Sequence, residues 1–580
     1  MRYLLFYAAL LTLLTACAGA PSRQPAETEP MVPANSTEVQ QEVQQEAVLR
    51  PFPDDSLYPL LVAEIALRRR DYDTALRHYM ELAPRLRDRE ISAQAARLAQ
   101  YLRKDEEAMA ATALWVQLEP DNRGARLALA NLQARRGMRT EALAQMAVVA
   151  RAGGAPNFSA LARGFEQLGR ADQDQLLAGV DALREEFPGN TQLLVCKSLM
   201  LAALGRRQQA LQELQPVFDS EPGQMQALVL DASLRQELDL NQGIYERIKA
   251  ALREQPERDQ LRLQYARLLT RTDLSEARRQ FQLLSDKSPE NTDLLLSLAL
   301  IQRDLGELDA ARGKLERMLE LDPGRSEADY LLGQIAEQQQ RYQDALKHFM
   351  RIPPGPNFTN ANRRLGRMLL GAGQRELHSE HFDKLRKQYP HLLAQLFVLE
   401  VESLHNQRLY GISTEVLDRA LGALPEQTDL QYLRSIAWEK QGNLTRMEAD
   451  LRAILLREPD NATALNALGY TLANRTRRFQ EAQQLIERAL QLEPDEPAIL
   501  DSFGWVRYRL GDREQALEYL RRAYHMFPDP EVAAHLGEVL WSLGKADEAM
   551  TIWKTALGES PGHEIVLETM QRLGAGDQGS

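Results

Sequence analysis

The stretch PAILDSFGWVRYRLGDREQALEYLRRAYHMFP, residues 497–528, decides the fold. Its apolar positions predict two short amphipathic helices that meet at Gly511 and end at Pro528, because proline cannot extend a helix. Gly504 and Ala516 are small residues at the point where the helices would cross, which lets two backbones approach closely. The stretch therefore predicts a helical hairpin.

Two series of residues repeat this hairpin along most of the chain. Prolines that would follow a second helix recur every 33 to 35 residues, or at about twice that spacing, at positions 120, 188, 222, 256, 289, 323, 390, 425, 459, 494, 528 and 561. Small residues inside the second helices follow nearly the same period: Ala75, Ala108, Ala142, Ala210, Ala277, Ala311, Ala345, Ala482, Ala516 and Ala549. Two independent series with one period predict about fifteen helical hairpins.

This pattern resembles the tetratricopeptide repeat (TPR), a helix-turn-helix unit of 34 residues. The resemblance is clearest in the three C-terminal units, which carry Gly469, Ala482 and Pro494, then Gly504, Ala516 and Pro528, then Gly537, Ala549 and Pro561. It implies an all-α superhelical solenoid, and residues 563–573 predict a helix that caps the last repeat. Residues 574–580 are predicted to be a disordered tail.

Two joints interrupt the regular pattern. GGAPNF at 153–158 and PPGPNF at 353–358 both fall where a repeat-ending proline is expected. We interpret them as longer turns in which an asparagine, or the Ser or Thr two residues later, caps the next helix. The second joint divides the predicted repeats into residues 51–354 and 355–573.

The N-terminus indicates export. Arg2 is followed by an apolar run from Tyr3 to Leu14 that is too short to span a bilayer. Leu14-Thr15-Ala16-Cys17 resembles the bacterial lipobox, which implies that a signal peptide, residues 1–16, is removed and that Cys17 is acylated. The residue after Cys17 is Ala18 and not aspartate, which by resemblance to bacterial lipoproteins implies the outer membrane, facing the periplasm. The alternative is an ordinary secretory signal with a chance cysteine.

Two segments separate the predicted lipid from the repeats. Residues 17–34 are rich in Ala, Pro, Ser and Glu and predict a disordered tether behind the lipidated cysteine. Residues 35–50 predict a short amphipathic helix with an apolar stripe of Val39, Val43 and Ala47. Such a helix cannot sustain itself alone in water, so it docks on the first repeat as a cap or on another protein.

Composition narrows the class of partner. The formal net charge of −12 and the 6% content of aromatic residues argue against nucleic acid. The second cysteine, Cys196, lies in the apolar run LLVCKSLM and is predicted to be a buried structural thiol.

The resemblance to TPR proteins places the first helix of each unit on an inner, concave surface. Large aromatic side chains beside amides on successive units are typical of a groove that binds polypeptide. Trp505 and Trp541 either line this groove or pack between repeats. Asp501 and Glu538 place negative charge there, which argues against an acidic chain terminus as ligand. The predicted inner-facing residues are Asn466, Tyr470, Asn474, Asp501, Trp505, Tyr508, Glu538 and Trp541.

No catalytic, cofactor or metal motif is complete in the sequence. His378 and His381 stand three residues apart, but without a third ligand we interpret them as a solvated helix face. Phosphate-binding glycine loops and Gly-x-Ser-x-Gly turns are absent. The sequence therefore favours a binding protein that uses no cofactor.

The arrangement of lipobox, short tether and long TPR array resembles the outer-membrane lipoproteins that partner the periplasmic carboxyl-terminal processing protease. That resemblance implies an adaptor that binds the serine protease, promotes its activity and delivers substrates such as peptidoglycan cross-link hydrolases. One alternative is a scaffold for another envelope machine, in peptidoglycan synthesis, outer-membrane assembly or polysaccharide export. The other alternative is a hydrolase with an unrecognised site.

Overall fold

The computed structural model describes residues 53, 55–240 and 243–575. Within these ranges it contains α-helices, three short 3₁₀ helices and no strand, which confirms the all-α prediction. The chain divides into two units, Met1–Pro289 and Glu290–Ser580. The predicted boundary between residues 354 and 355 lies inside the second unit. The predicted signal peptide, tether and amphipathic segment lie outside the described residues.

The first unit consists of six helix pairs and one irregular repeat within its described residues. Its helices are α1 Leu57–Arg68, α2 Tyr72–Leu86, α3 Arg89–Tyr101, α4 Asp105–Leu118, α5 Arg123–Arg135, α6 Arg139–Arg151, α7 Arg170–Glu186, α8 Thr191–Ala203, α9 Arg207–Ser220, α10 Met225–Glu237, α11 Glu246–Glu254, α12 Asp259–Leu269 and α13 Leu274–Lys287. The irregular repeat has two 3₁₀ helices, Phe158–Ala162 and Phe165–Gln167, where a first helix is expected before α7.

The second unit consists of eight helix pairs and a terminal helix. Its helices are α14 Thr292–Asp304, α15 Leu308–Leu321, α16 Ser326–Gln338, α17 Tyr342–Phe349, α18 Phe358–Gly371, α19 Arg375–Gln388, α20 Leu393–Asn406, α21 Tyr410–Ala423, α22 Thr428–Lys440, α23 Leu444–Arg457, α24 Ala462–Arg475, α25 Phe479–Leu492, α26 Pro497–Arg509, α27 Arg513–Met526, α28 Pro530–Ser542, α29 Ala546–Glu559 and α30 Glu564–Arg572. Helix α30 packs on α28 and α29, at the place predicted for a capping helix.

The turn between the two helices of residues 497–528 follows from its residues. Gly511 has a φ of +94°, a left-handed conformation that glycine adopts without steric cost, so α26 stops there. The carboxylate of Asp512 then accepts a hydrogen bond from the backbone N–H of Gln515 and caps the start of α27.

The predicted small residues lie where paired helices touch. All ten alanines of the predicted series are completely buried. A Cβ built on Gly504 would lie 2.7 Å from the Leu520 Cγ and 3.1 Å from the Ala516 carbonyl oxygen. The alanine series and Gly504 therefore mark close helix contacts, which is the physical reason for the repeat pattern.

Gly504→Ala should lower the free energy of unfolding of the C-terminal repeats by about 1–3 kcal/mol, because the methyl group overpacks the α26–α27 contact. Gly558→Ala is the matched control, since Gly558 lies within α29 and a Cβ there meets nothing within 4 Å. That change should be neutral or should stabilise by up to about 1 kcal/mol. Urea unfolding followed by circular dichroism measures both, and equal effects would contradict the close-contact argument.

The two joints differ from the prediction in one detail. Neither Asn157 nor Asn357 makes a side-chain hydrogen bond that caps the following helix, so the proposed capping role of the asparagines is wrong.

Gly574 and Ala575, predicted to belong to the tail, are described, and Ala575 is buried. Cys196 is fully buried, as predicted, and burial raises the pKa of its thiol to about 12.

Candidate functional site

The predicted inner-facing residues come from three successive first helices of the second unit. Helix α24 carries Asn466, Tyr470 and Asn474, α26 carries Asp501, Trp505 and Tyr508, and α28 carries Glu538 and Trp541. Asp501, Trp505 and Glu538 are buried, and the other five are half-buried. The structure thus brings the set onto adjoining helices but leaves its centre closed to solvent.

Trp505 packs between repeats. Its side chain is only 5% exposed and stacks on the His535 ring, with ring centroids 4.2 Å apart and an interplanar angle of 22°. Tyr508 lies against the same indole at 5.4 Å. Trp541 is half-buried, and its ring centroid lies 5.9 Å from that of Trp553. Trp541 and Tyr508 therefore keep some exposed surface, whereas Trp505 has almost none.

A buried polar network surrounds Trp505. Both carboxylate oxygens of Asp501 lie 3.0 Å from the His535 Nδ1. The Tyr470 hydroxyl donates to Glu531 at 2.5 Å and lies 3.4 Å from the His535 Nε2. These contacts join α24, α26 and α28, so the side chains of alternate repeats meet across the helix between them.

The network controls the charge of His535. Burial alone lowers the pKa of the imidazole, but the carboxylates of Asp501, Glu531 and Glu538 outweigh it and hold the pKa above its ordinary value. Burial and the neighbouring Glu531 raise the pKa of the Tyr470 phenol, which keeps it a hydrogen-bond donor. The acidic side chains around His535 therefore favour the protonated form of its imidazole.

Glu538 forms a second pair with the terminal helix. Arg572 on α30 donates Nη1 to the Glu538 Oε1 at 3.0 Å and Nη2 to its Oε2 at 2.5 Å. This bidentate pair neutralises Glu538, and the carboxylate of Asp501 is likewise occupied by the His535 Nδ1. The expectation that Asp501 and Glu538 present free negative charge on this face is therefore wrong.

Two buried polar atoms near this centre have no hydrogen-bond partner among the described residues. They are the indole N–H of Trp505 and the amide oxygen of Asn466. Buried polar groups are nearly always paired, so a donor and an acceptor left open deserve an explanation. Both atoms are enclosed by the helices around them, so a ligand on the surface of this face does not reach them in this arrangement.

The interpretation of His378 and His381 as a solvated face is also wrong. Both are buried on α19, where the His378 Nε2 lies 2.7 Å from the Ser403 hydroxyl and the His381 Nε2 lies 2.7 Å from the Asn362 amide oxygen. Burial lowers the pKa of each imidazole to about 4, so both are neutral at pH 7. Their hydrogen bonds explain them as core residues.

A cavity of about 370 Å³ borders this histidine cluster. Its lining mixes apolar and charged side chains from α18 to α21 and shows no assembled nucleophile with a base: Leu370, Arg375, His378, Ser379, Glu400, Leu404, Ile412, Glu415, Val416 and Arg419. Across the described ranges, no group of three or more His, Cys, Asp or Glu side chains is placed to hold a metal ion.

Sequence reasoning missed three residues of the network: His535, Glu531 and Arg572. A signal for two of them was present, because Asp501 and His535 are 34 residues apart and so are Glu538 and Arg572. Residues one period apart occupy equivalent positions in adjoining repeats and lie side by side. Opposite charges at that spacing therefore predict pairs between repeats.

Comparison with known proteins gives the family. The tetratricopeptide-repeat family model matches residues 267–326, 296–357, 448–497 and 502–564. The TPR repeat-containing protein PA4667 of Pseudomonas aeruginosa is 38% identical over 488 residues, which is 84% of this chain and 82% of that protein. The chain therefore belongs to the TPR family, and its predicted fold class is confirmed.

Other similarities are more distant. The protein CTR9 homolog of Arabidopsis thaliana is 23% identical over 328 residues, 53% of this chain and 29% of that protein. The crystal structure of the yeast Tom70 aligns with 90% of this chain and 95% of its own, at 14% identity and a TM-score of 0.31.

TPR proteins bind other proteins, so the chain is a bacterial TPR protein that acts as a protein-interaction scaffold. Among the described helices, none combines the length and the hydropathy that crossing a lipid bilayer requires.

Proposed function

We propose that this chain is a non-enzymatic outer-membrane lipoprotein adaptor. It binds a periplasmic carboxyl-terminal processing serine protease, promotes its activity and delivers protein substrates such as peptidoglycan cross-link hydrolases. The observation that carries the proposal is the order of segments along the chain: a lipobox-like sequence at residues 14–17 precedes TPR hairpins that continue to α30. The lipid on Cys17 holds the repeats at the periplasmic face of the membrane.

The helical pairs supply surface for binding and show no catalytic assembly in the described ranges. Clients occupy the first-helix face of the second unit, where Tyr508 and Trp541 remain half-exposed. The segment at residues 35–50 engages the protease, because it precedes the first described helix and carries its own apolar stripe.

Affinity purification from detergent-solubilised membranes, followed by identification of bound proteins, tests the partner. Recovery of a carboxyl-terminal processing protease supports the adaptor. Recovery of synthases or export components without a protease would favour the scaffold for another envelope machine. A purified chain that hydrolyses peptide or glycan by itself would overturn the non-enzymatic assignment.

Deleting residues 35–50 should abolish protease binding and leave client binding within about twofold, since the two surfaces are separate elements of a repeat array. Pull-down with the purified protease and, separately, with a client measures both. Loss of both activities, or of neither, contradicts this division of roles.

Tyr508→Ala together with Trp541→Ala should weaken client affinity by about tenfold or more, as expected for aromatic contacts at a protein interface. Phe527→Ala is the control, because Phe527 is an exposed aromatic residue in the turn after α27. Isothermal titration measures the affinities. Equal affinities for the double variant and the control would remove this face as the client surface.

A further inference from the structure

Helix α1 has two apolar faces. Ala63 and Ala66 lie buried in the cluster that joins α1 to α2. The opposite face is open to solvent, with exposed fractions of 55% for Leu57, 75% for Tyr58, 51% for Leu61 and 50% for Ile65. A row of large apolar side chains on one helix face indicates a surface that another element covers.

The neighbouring repeat shows what kind of element is missing. Helix α3, the first helix of the second pair, packs on both α2 and α4, so a preceding helix covers its second face. Helix α1 has no preceding helix among the described residues. Its open face is therefore the position that the second helix of an earlier repeat would occupy.

Positive charge lies at the far end of this face. Arg68, Arg69 and Arg70 are exposed, and within the described part of the chain their guanidinium groups form no ion pair or hydrogen bond. An element that fits α1 thus needs an apolar stripe and acidic groups near one end.

We propose that residues 35–50 of this chain pack on the open face of α1 as an antiparallel helix. The segment carries Val39, Val43 and Ala47 at four-residue spacing, and each follows a glutamate: Glu38, Glu42 and Glu46. Sixteen helical residues span about 24 Å, enough to cover the twelve residues of α1.

One register satisfies both the apolar and the charged groups. Residues 51–56, with Pro51 and Pro53, form the connection. An antiparallel helix then places Ala47 opposite Leu57, Val43 opposite Leu61 and Val39 opposite Ile65.

The same register places a glutamate of the segment near the arginines at the end of α1. It sets Glu38 opposite position 66, one helical turn from Arg69 and Arg70. The packing describes the chain without a bound partner; a protease that binds the same apolar stripe would displace the segment from α1.

Disulfide trapping in the full-length protein tests the register. With Val43→Cys and Leu61→Cys, mild oxidation should form an intramolecular disulfide at least about tenfold faster than with Gln45→Cys and Leu61→Cys, because a disulfide needs Cβ atoms about 3.5–4.5 Å apart. Position 45 lies on the opposite face of the segment. The single-cysteine variants report any pairing with Cys17, and Cys196 stays out of reach because it is fully buried. Equal rates, or disulfide-linked dimers, would overturn the proposal.

Protection from a glutamyl endopeptidase gives a second measurement. Cleavage after Glu38, Glu42 and Glu46 should be about tenfold faster in the Leu61→Asp variant, because the helix is released from α1. Leu61 is exposed in the described structure, so this change leaves the repeats folded. Met138→Asp, at another exposed apolar residue, is the control. Unprotected glutamates in the unaltered protein would overturn the packing.

Discussion

Arg386→Met is expected to destabilise the second unit by about 3–5 kcal/mol, because it leaves a buried carboxylate without its partner. Arg386 on α19 donates to Glu400 on α20 at 2.6 Å, and Glu400 is 1% exposed. The guanidinium also pairs with Asp383 at 2.5 Å and lies 4.3 Å from the Phe397 ring.

The loss of stability in Arg386→Met should depend on pH. Burial raises the pKa of Glu400 even beside Arg386, and removing the arginine raises it further. A raised folded-state pKa gives stability that is present below the unfolded pKa and lost as pH rises through the folded one. The variant should therefore be less impaired near pH 4.5 than at pH 7, which urea unfolding at the two values measures.

Two controls define the origin of the loss. Arg386→Met combined with Glu400→Gln should recover much of the stability, because no charge is then buried. Arg419→Met removes an arginine that is half-exposed and pairs with Asp383 at 3.6 Å, so it should cost less than about 1 kcal/mol. If the single variant at 386 behaves like the one at 419, the buried pair does not stabilise this repeat.

His535→Ala is expected to cost about 3–5 kcal/mol in the C-terminal repeats, because Asp501 then stays buried without a cation. The unaltered protein should also respond to pH. Since Asp501, Glu531 and Glu538 hold the pKa of His535 above its ordinary value, the stabilising charge is fully present below about pH 6.5. It is lost as the pH rises through the folded-state pKa.

Hydrogen exchange of α26 and α28 at pH 5.5 and 8.5 measures this response locally, which suits a repeat array that need not unfold in one step. Protection should fall at the higher pH in the unaltered protein, and the part of this fall that comes from deprotonation of His535 should be absent in His535→Ala. His525→Ala is the control, since His525 is exposed on α27. A pH response that survives in His535→Ala would assign it to another group.

The sequence predicted the repeats because their signals are local. Ala516, Gly504 and the turn glycine Gly511 each have a steric role that is readable from spacing. The irregular repeat, in which 3₁₀ turns at Phe158–Gln167 replace the first helix, was not predicted. Its segment has the same number of residues as a regular repeat. Length and apolar content alone do not distinguish these two conformations.

The site was predicted less completely. The sequence identified which side chains share a face, but burial depends on the partners that arrive from adjoining repeats. Trp505 is closed off by His535, and Glu538 is neutralised by Arg572. Both partners lie in later repeats and are polar, so apolar periodicity did not point to them.

The buried Arg386–Glu400 pair also bears on the fidelity of assembly. Hairpins with similar apolar faces can stack out of order, a known failure of tandem repeats during folding. The prolines at 390 and 425 set the local period at 35 residues, so a slip of one repeat would set Arg386 against Ser435 and Glu400 against Leu421. Arg386 would keep its pair with Asp383 on the same helix, but Glu400 would be buried without a cation, at a cost of several kcal/mol. The pair therefore disfavours misordered stacking at this interface.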